Sequence, residues 1–156
     1  MKRKLSIMLF LLVVSTIVSV AQEGLNVAQR FDGRYRKKDN ATEILVKGKN
    51  ANNLKLTLYR SITLNEILDE AKEIGRLVTS DGVSAVNKEV EYRDGELYYG
   101  FYVLAPMVDS KDKKKINRYL FYLNQKLNNV SPENKVLLIY LEGWATPDYV
   151  KSLISE

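Results

Sequence analysis

Acidic side chains at helical spacing are the first feature of this sequence that could do chemistry. The cluster consists of Glu66, Asp69, Glu70 and Glu73. Paired carboxylates catalyse acid–base reactions or hold calcium ions. Lysine and arginine are interleaved with these acids, however, and the acids lie toward the start of the helix, where the helix dipole favours negative charge. The pattern therefore favours a solvated, charged helix face.

Basic side chains form a second cluster, which consists of Lys111, Lys113, Lys114 and Lys115. Such a run can bind an anion or an acidic partner, although most surface lysine runs serve solubility. The single tryptophan, Trp144, follows a glycine and precedes a helix cap. We expect this tryptophan to pack the corner between a strand and a helix.

Two residue types are missing, and their absence excludes several classes of enzyme. The sequence contains no histidine and no cysteine, so it lacks the commonest general base, the commonest transition-metal ligand and any thiol. Serine–histidine triads, zinc hydrolase motifs and disulfides are excluded, whereas chemistry based on carboxylates or lysines stays open. We predict no catalytic residues, no metal site and no cofactor.

The N-terminus reads as a secretory signal peptide. Three basic residues precede an apolar stretch that ends in small residues, with predicted cleavage between Ala21 and Gln22. The apolar run is shorter than the roughly 20 residues of a membrane span, and an uncleaved anchor is the alternative. We therefore predict a leader at 1–21, a lead-in segment at 22–40, a single α+β domain at 41–156, a periplasmic or otherwise exported location, and no membrane span after cleavage.

Removal of the leader changes the charge argument. The leader carries three of the 24 basic residues and none of the 19 acidic ones, so the formal charge falls from +5 to +2. Nucleic-acid binding requires a basic surface that this balance does not supply. We therefore expect no nucleic-acid partner.

Hydrophobic periodicity predicts the elements that must position these residues. The order strand, helix, strand, strand, helix, strand is typical of a ferredoxin-like, split β-α-β fold with two helices on one face of an antiparallel sheet, here with an extra N-terminal strand and a C-terminal helix. Whether segment 42–47 or 54–60 is the first core strand stays open. The predicted elements are strands at 42–47 and 54–60, a helix from the capping box at Thr63, a hairpin over 83–104 around Asp94-Gly95, a second helix at 109–127, a buried strand at 136–141 and a terminal helix after Thr146-Pro147.

The expected register of the hairpin predicts a tyrosine-rich sheet face. With a two-residue turn, alternate residues of both strands share the face that the two helices leave uncovered. Tyrosine supplies contact area and a polar tip, which suits an interface. The alternative is that the C-terminal helix folds back and buries these rings. The predicted binding residues are Tyr59, Tyr98, Tyr102, Tyr140, Glu89 and Glu91.

Four short stretches resemble a known group of proteins. They are the leader end Ala21-Gln-Glu, Leu58-Tyr-Arg-Ser-Ile62, Tyr98-Tyr-Gly-Phe-Tyr102 and Gly143-Trp-Ala-Thr-Pro147. In these stretches the chain resembles small exported proteins from gut-type Bacteroidota that belong to a domain-of-unknown-function family. The resemblance implies a location in the cell envelope and implies nothing about activity.

The sequence thus predicts an exported, non-enzymatic binding domain. The tyrosine-rich face or an exposed sheet edge would meet a protein or peptide partner in the cell envelope. One alternative is a carboxylate- or lysine-dependent hydrolase acting on envelope material, which would need a cleft with converging acids and a raised carboxyl pKa. Another alternative is a structural envelope subunit that assembles by strand addition.

Overall fold

The computed structural model describes residues 24–66, 68–130 and 132–155. In these residues six strands form one antiparallel sheet in the order β1-β2-β6-β5-β4-β3. The predicted leader, with its cleavage site at Ala21 and Gln22, lies outside the described residues. The strands are β1 (Ala41–Lys47), β2 (Leu56–Asn65), β3 (Asn87–Arg93), β4 (Glu96–Val108), β5 (Lys115–Asn124) and β6 (Lys135–Gly143).

In the part of the chain that the structure describes, three α-helices and three short 3-10 segments accompany the sheet. The longest helix, α2, lies between β2 and β3, and α3 ends the chain. Thr146 caps α3 by accepting a hydrogen bond from the Tyr149 N–H at 3.4 Å, and Pro147 occupies its first turn, as predicted. The helices are α1 (Lys49–Asn52), α2 (Leu68–Asp81) and α3 (Pro147–Ile154), and the 3-10 turns are Asn26–Arg30, Gly82–Ser84 and Gln125–Leu127.

The second predicted helix, 109–127, is wrong, because β5 occupies most of that segment. Tyr119 and Phe121 pack on one side of the sheet, whereas Leu120 and Tyr122 pack on the other. A strand buried on both faces is apolar at successive positions, and such a run also satisfies helical spacing by coincidence. Its aromatic residues favour the strand.

The overall class is confirmed as α+β with an antiparallel sheet, but the strand order differs from the predicted ferredoxin-like arrangement. β1 joins the sheet beside β2 along its whole length, so both candidate first strands belong to the same sheet. β2 also continues past the capping box predicted at Thr63, because Thr63 and Leu64 pair with β6. The helix consequently begins later, at Leu68.

Each face of the sheet has its own apolar layer. One layer, here called the α2 face, lies under α2 and the N-terminal segment 24–40, from which Val27, Phe31 and Tyr35 reach the core. The other layer, the α3 face, lies under α3, with Val150 fully buried. Within the described part of the chain, no helix is long and apolar enough to span a membrane.

Candidate functional site

The structure does not bring the six predicted binding residues together on one open face. Tyr102 and Tyr140 lie in the α2 face, where the Tyr102 side chain is 1% exposed and Tyr140 is fully buried. Burial raises the pKa of Tyr102 to about 12. A Cβ atom added at Gly82 or at Gly100 would overlap the Tyr102 ring. These two glycines therefore make room for a core side chain, and the predicted open face is wrong at this point.

A bulge explains the error in register. Beyond the predicted Asp94-Gly95 turn, Tyr92 pairs with Leu97 but Glu91 pairs with Tyr99, so Tyr98 is an extra residue in β4. An extra residue exchanges the two faces for everything that follows it. Tyr102 is therefore turned into the core under α2.

The remaining predicted residues are distributed over other surfaces. Tyr59 is half-buried in the α3 face. The Arg93 guanidinium stacks on the Tyr98 ring, with its Cζ atom 3.5 Å from the centroid of the ring. Glu89 forms an ion pair with Lys151 of α3. Glu91 forms one with Arg93 at 2.8 Å. The carboxylates thus neutralise neighbouring cations at the β3 edge.

A buried polar chain links β5 and β6. The Arg118 Nε donates to the Tyr140 hydroxyl at 2.9 Å, and that hydroxyl donates to Glu142 Oε1 at 2.6 Å. Burial raises the pKa of Glu142, while the bond from Tyr140 and the charge of Arg118 oppose this shift. Burial also raises the pKa of Tyr140. Tyr140 and Glu142 are closed off from solvent, so this carboxyl is poorly placed to meet a substrate.

Other ionisable clusters give no clear catalytic geometry. Lys72 of α2 pairs with Glu96 at 3.3 Å beside an open cleft of about 390 Å³, which also contains Arg76 and Tyr92. Arg30 and Lys38 pair with Glu73 and Glu70, which agrees with the predicted charged helix face. Among the described residues, no three potential ligands are grouped to hold a metal ion.

The free edges of the sheet are the more informative surfaces. β1 and β3 are the outermost strands, and an outermost strand leaves every second pair of backbone polar groups without a strand partner. β3 is protected by charged side chains on both faces, a common means of preventing further strand pairing. These are Lys88, Glu89, Glu91 and Arg93.

β1 has less of this protection. Between Glu43 and Lys47 it carries an uncharged run of three residues, Ile44, Leu45 and Val46, and Ile44 and Leu45 are 46% and 40% exposed. The Glu43 side chain points inward and is neutralised by Arg36 at 3.8 Å and Arg60 at 3.6 Å. A neutralised, inward carboxylate fixes the register of β1 without placing a charge on its outer edge.

The sequence contains the signal for this edge only in part. An uncharged run such as Ile44-Leu45-Val46 predicts a strand. Periodicity does not say whether that strand lies at the end of a sheet or between two others. The strand order was needed to identify its exposed side.

The strand-to-helix corner also differs from the prediction. Trp144 does not pack the corner, because its side chain is 52% exposed. Ala145, the next residue, is fully buried instead. At this corner Ala145 is therefore buried in the core, and the indole ring of Trp144 is half exposed to solvent.

One comparison with known proteins identifies a relationship. The sequence model of a protein family described as "Family of unknown function (DUF6108)" matches residues 14–154. No curated protein matches the chain. The expected relationship to a domain-of-unknown-function family is thereby confirmed, whereas the bacterial group and export stay predictions.

Proposed function

We propose that this chain, which belongs to the DUF6108 family of unknown function, is an exported, non-enzymatic binding domain. It would capture an extended segment of a protein partner along the free edge of β1. The observation that carries the proposal is the uncharged run of that edge between Glu43 and Lys47, residues Ile44 to Val46. Pairing with an added strand would satisfy backbone groups that now face solvent.

The side chains of the edge would provide selectivity. Ile44 lies on the α3 face of β1, and Leu45 lies on the α2 face. Alternate residues of an added strand would therefore contact Ile44 on one side and Leu45 on the other. An added strand with apolar or β-branched residues on both of its faces would fit this edge best. Acidic or basic residues would find no opposite charge there.

The rigidity of β1 supports binding without rearrangement. All seven residues of β1 are paired with β2, and the buried Glu43 holds the strand between two arginines. A preformed edge avoids the ordering cost that weakens binding by flexible segments. Export is supported by the leader pattern at 1–21, and a domain without cysteine depends on no thiol or disulfide in that compartment.

Matched lysine substitutions on the two edges test the proposal. Leu45 on β1 and Val90 on β3 are both 40% exposed, so Leu45→Lys and Val90→Lys place the same charge on equally exposed strand residues. The partner would first be isolated by crosslinking in the native envelope and purified. We expect Leu45→Lys to raise the Kd for the partner at least about tenfold, and Val90→Lys to leave that Kd unchanged.

Hydrogen exchange supplies the structural readout. Adding the purified partner should slow exchange at the outward-facing amides of β1 and leave β3 unaffected. Equal effects of the two lysine variants would contradict the proposal. If the β1 crosslinks join two copies of this chain, the structural-subunit alternative replaces it.

A further inference from the structure

The corner around Trp144 forms a second candidate site, which does not depend on the β1 edge. The backbone passes so close to β2 that a Cβ atom at Gly143 would lie 2.5 Å from the Leu56 Cα. The Lys55 carbonyl accepts hydrogen bonds from the Trp144 N–H at 3.1 Å and the Ala145 N–H at 3.0 Å. Only glycine permits this approach, and the approach fixes the start of the corner.

Two further bonds fix the other side of the corner. The Tyr119 hydroxyl and the Asn117 side-chain amide both donate to the Ala145 carbonyl, at 2.6 and 3.1 Å. The corner is therefore held at once from Lys55, which precedes β2, and from β5. Trp144 is nevertheless half exposed, so a large apolar ring is displayed on a rigid backbone. Such rings are favoured at binding sites because little entropy is lost when they are covered.

The β4–β5 turn forms the opposite wall. Asp109 orders it by accepting from the Lys111 N–H at 2.7 Å, and its own N–H donates to the Lys114 carbonyl at 2.8 Å. Asp112 pairs with Lys114 at 3.0 Å, and this hydrogen bond lowers the pKa of Asp112. Residues 109–115, the turn and the first residue of β5, carry four lysines against two aspartates. The charged residues that line the cleft are Asp109, Asp112, Lys114 and Lys115. Of the two lysines, Lys114 is paired with Asp112, whereas Lys115 has no ion pair among the described residues.

Between these walls lies a cleft of about 350 Å³. Its volume lies at the small end of ligand pockets, which suits one compact ligand better than a length of peptide. Ile116 and Thr57 also line the cleft, and Asp109 and Asp112 supply hydrogen-bond acceptors there.

We propose that this cleft binds an acidic sugar unit, of the hexuronic acid class, within a glycan. The indole of Trp144 would cover the C–H face of the sugar ring, and Lys115 would pair with its carboxylate. The Asp112 carboxylate would accept hydrogen bonds from ring hydroxyls. Cations and hydrogen-bonding groups of both kinds around one aromatic ring match a ligand that carries one carboxylate and several hydroxyls.

The fluorescence of Trp144 provides a specific test, because it is the only tryptophan in the sequence. Oligomers of hexuronic acid should change its emission saturably, and neutral hexose oligomers of equal length should not. Lys115→Gln should weaken binding about tenfold, as expected for loss of one charge-assisted contact. Lys111→Gln, in the same turn but outside the cleft, should leave binding unchanged.

Calorimetry with Trp144→Ala completes the test, since it detects binding without the indole. This variant should lose binding while its unfolding midpoint in urea stays within the range of the lysine variants. Three outcomes would overturn the proposal. The first is no saturable change in emission at about 10 mM uronate, which corresponds to a binding free energy weaker than roughly 3 kcal/mol. The second is equal binding of neutral sugars. The third is tighter binding of a peptide rich in aspartate and glutamate.

Discussion

The two faces of the sheet are covered by opposite ends of the described chain, and the covers are attached by different means. The α2 face is covered in part by segment 24–40, which contains only a short 3-10 turn. The α3 face is covered by a regular helix with an apolar stripe. Because a helix satisfies its own backbone, apolar contact suffices to hold it, whereas an irregular segment needs polar partners from elsewhere.

Asp81, at the end of α2, supplies those partners. Its carboxylate accepts from the Asn26 N–H at 2.7 Å, from the Asn26 side-chain amide at 2.8 Å and from the Val27 N–H at 2.9 Å. Arg60 adds a bond to the Phe31 carbonyl. On the α3 face, by contrast, α3 is linked to β3 by the exposed pair between Lys151 and Glu89. The attachment of segment 24–40 should therefore depend on buried polar groups, whereas that of α3 should depend mainly on apolar contact.

The largest expected effect comes from the ring between α2 and the sheet. Tyr102→Ala leaves a cavity against Gly82 and Gly100 and should lower the free energy of unfolding by about 3–5 kcal/mol, measured by urea denaturation. Tyr102→Phe is the matched control, and it should be nearly neutral because the hydroxyl has no hydrogen-bond partner among the described residues. A Tyr102→Ala protein of unchanged stability would contradict the core position of this ring.

The second prediction compares the two attachments directly. Asp81→Ala leaves the buried Val27 N–H without an acceptor and should cost about 2–3 kcal/mol. Lys151→Ala, which removes the exposed link on the opposite face, should leave the urea midpoint nearly unchanged. Hydrogen exchange should locate the effect of Asp81→Ala in segment 24–35. Equal losses for the two variants would show that both covers are held in the same way.

The sequence predicts α3, which covers the α3 face, better than it predicts segment 24–40, which covers part of the α2 face. The C-terminal helix follows from local signals, a Thr146 cap and a proline in the first turn. No local pattern identifies Asp81 as an anchor for segment 24–40, because its partners lie more than 50 residues earlier in the chain. Local patterns do not contain that information.

The site residues show the same limit. The turn at Asp94-Gly95 follows from local chemistry and is confirmed by positive φ angles at both residues. The faces of the strand after it depend on one bulge at Tyr98, which no local pattern indicated. One extra residue therefore moved Tyr102 from a predicted interface into the core. The exposed β1 edge and the exposed Trp144 likewise depend on strand order and corner packing.

The smallest expected effect is a pH dependence that arises on the α2 face. Burial raises the pKa of Glu142 above its usual 4.5, so the folded state holds this proton more tightly than the unfolded state. The stabilisation from the protonated carboxyl is therefore present below pH 4.5 and is lost as the pH rises through the folded-state pKa. Glu142→Gln carries no such proton. Between about pH 4 and about pH 7, its unfolding free energy should therefore rise relative to that of the unmodified protein.

Urea denaturation across this range measures that difference. Glu89→Gln, an exposed carboxyl at the α3 face, is the matched control and should follow the pH profile of the unmodified protein much more closely. A Glu142→Gln profile parallel to the unmodified one would mean that the bonds from Tyr140 and Arg118 fully offset the cost of burying this carboxylate. The two faces would then differ in their hydrogen bonds but not in their response to pH.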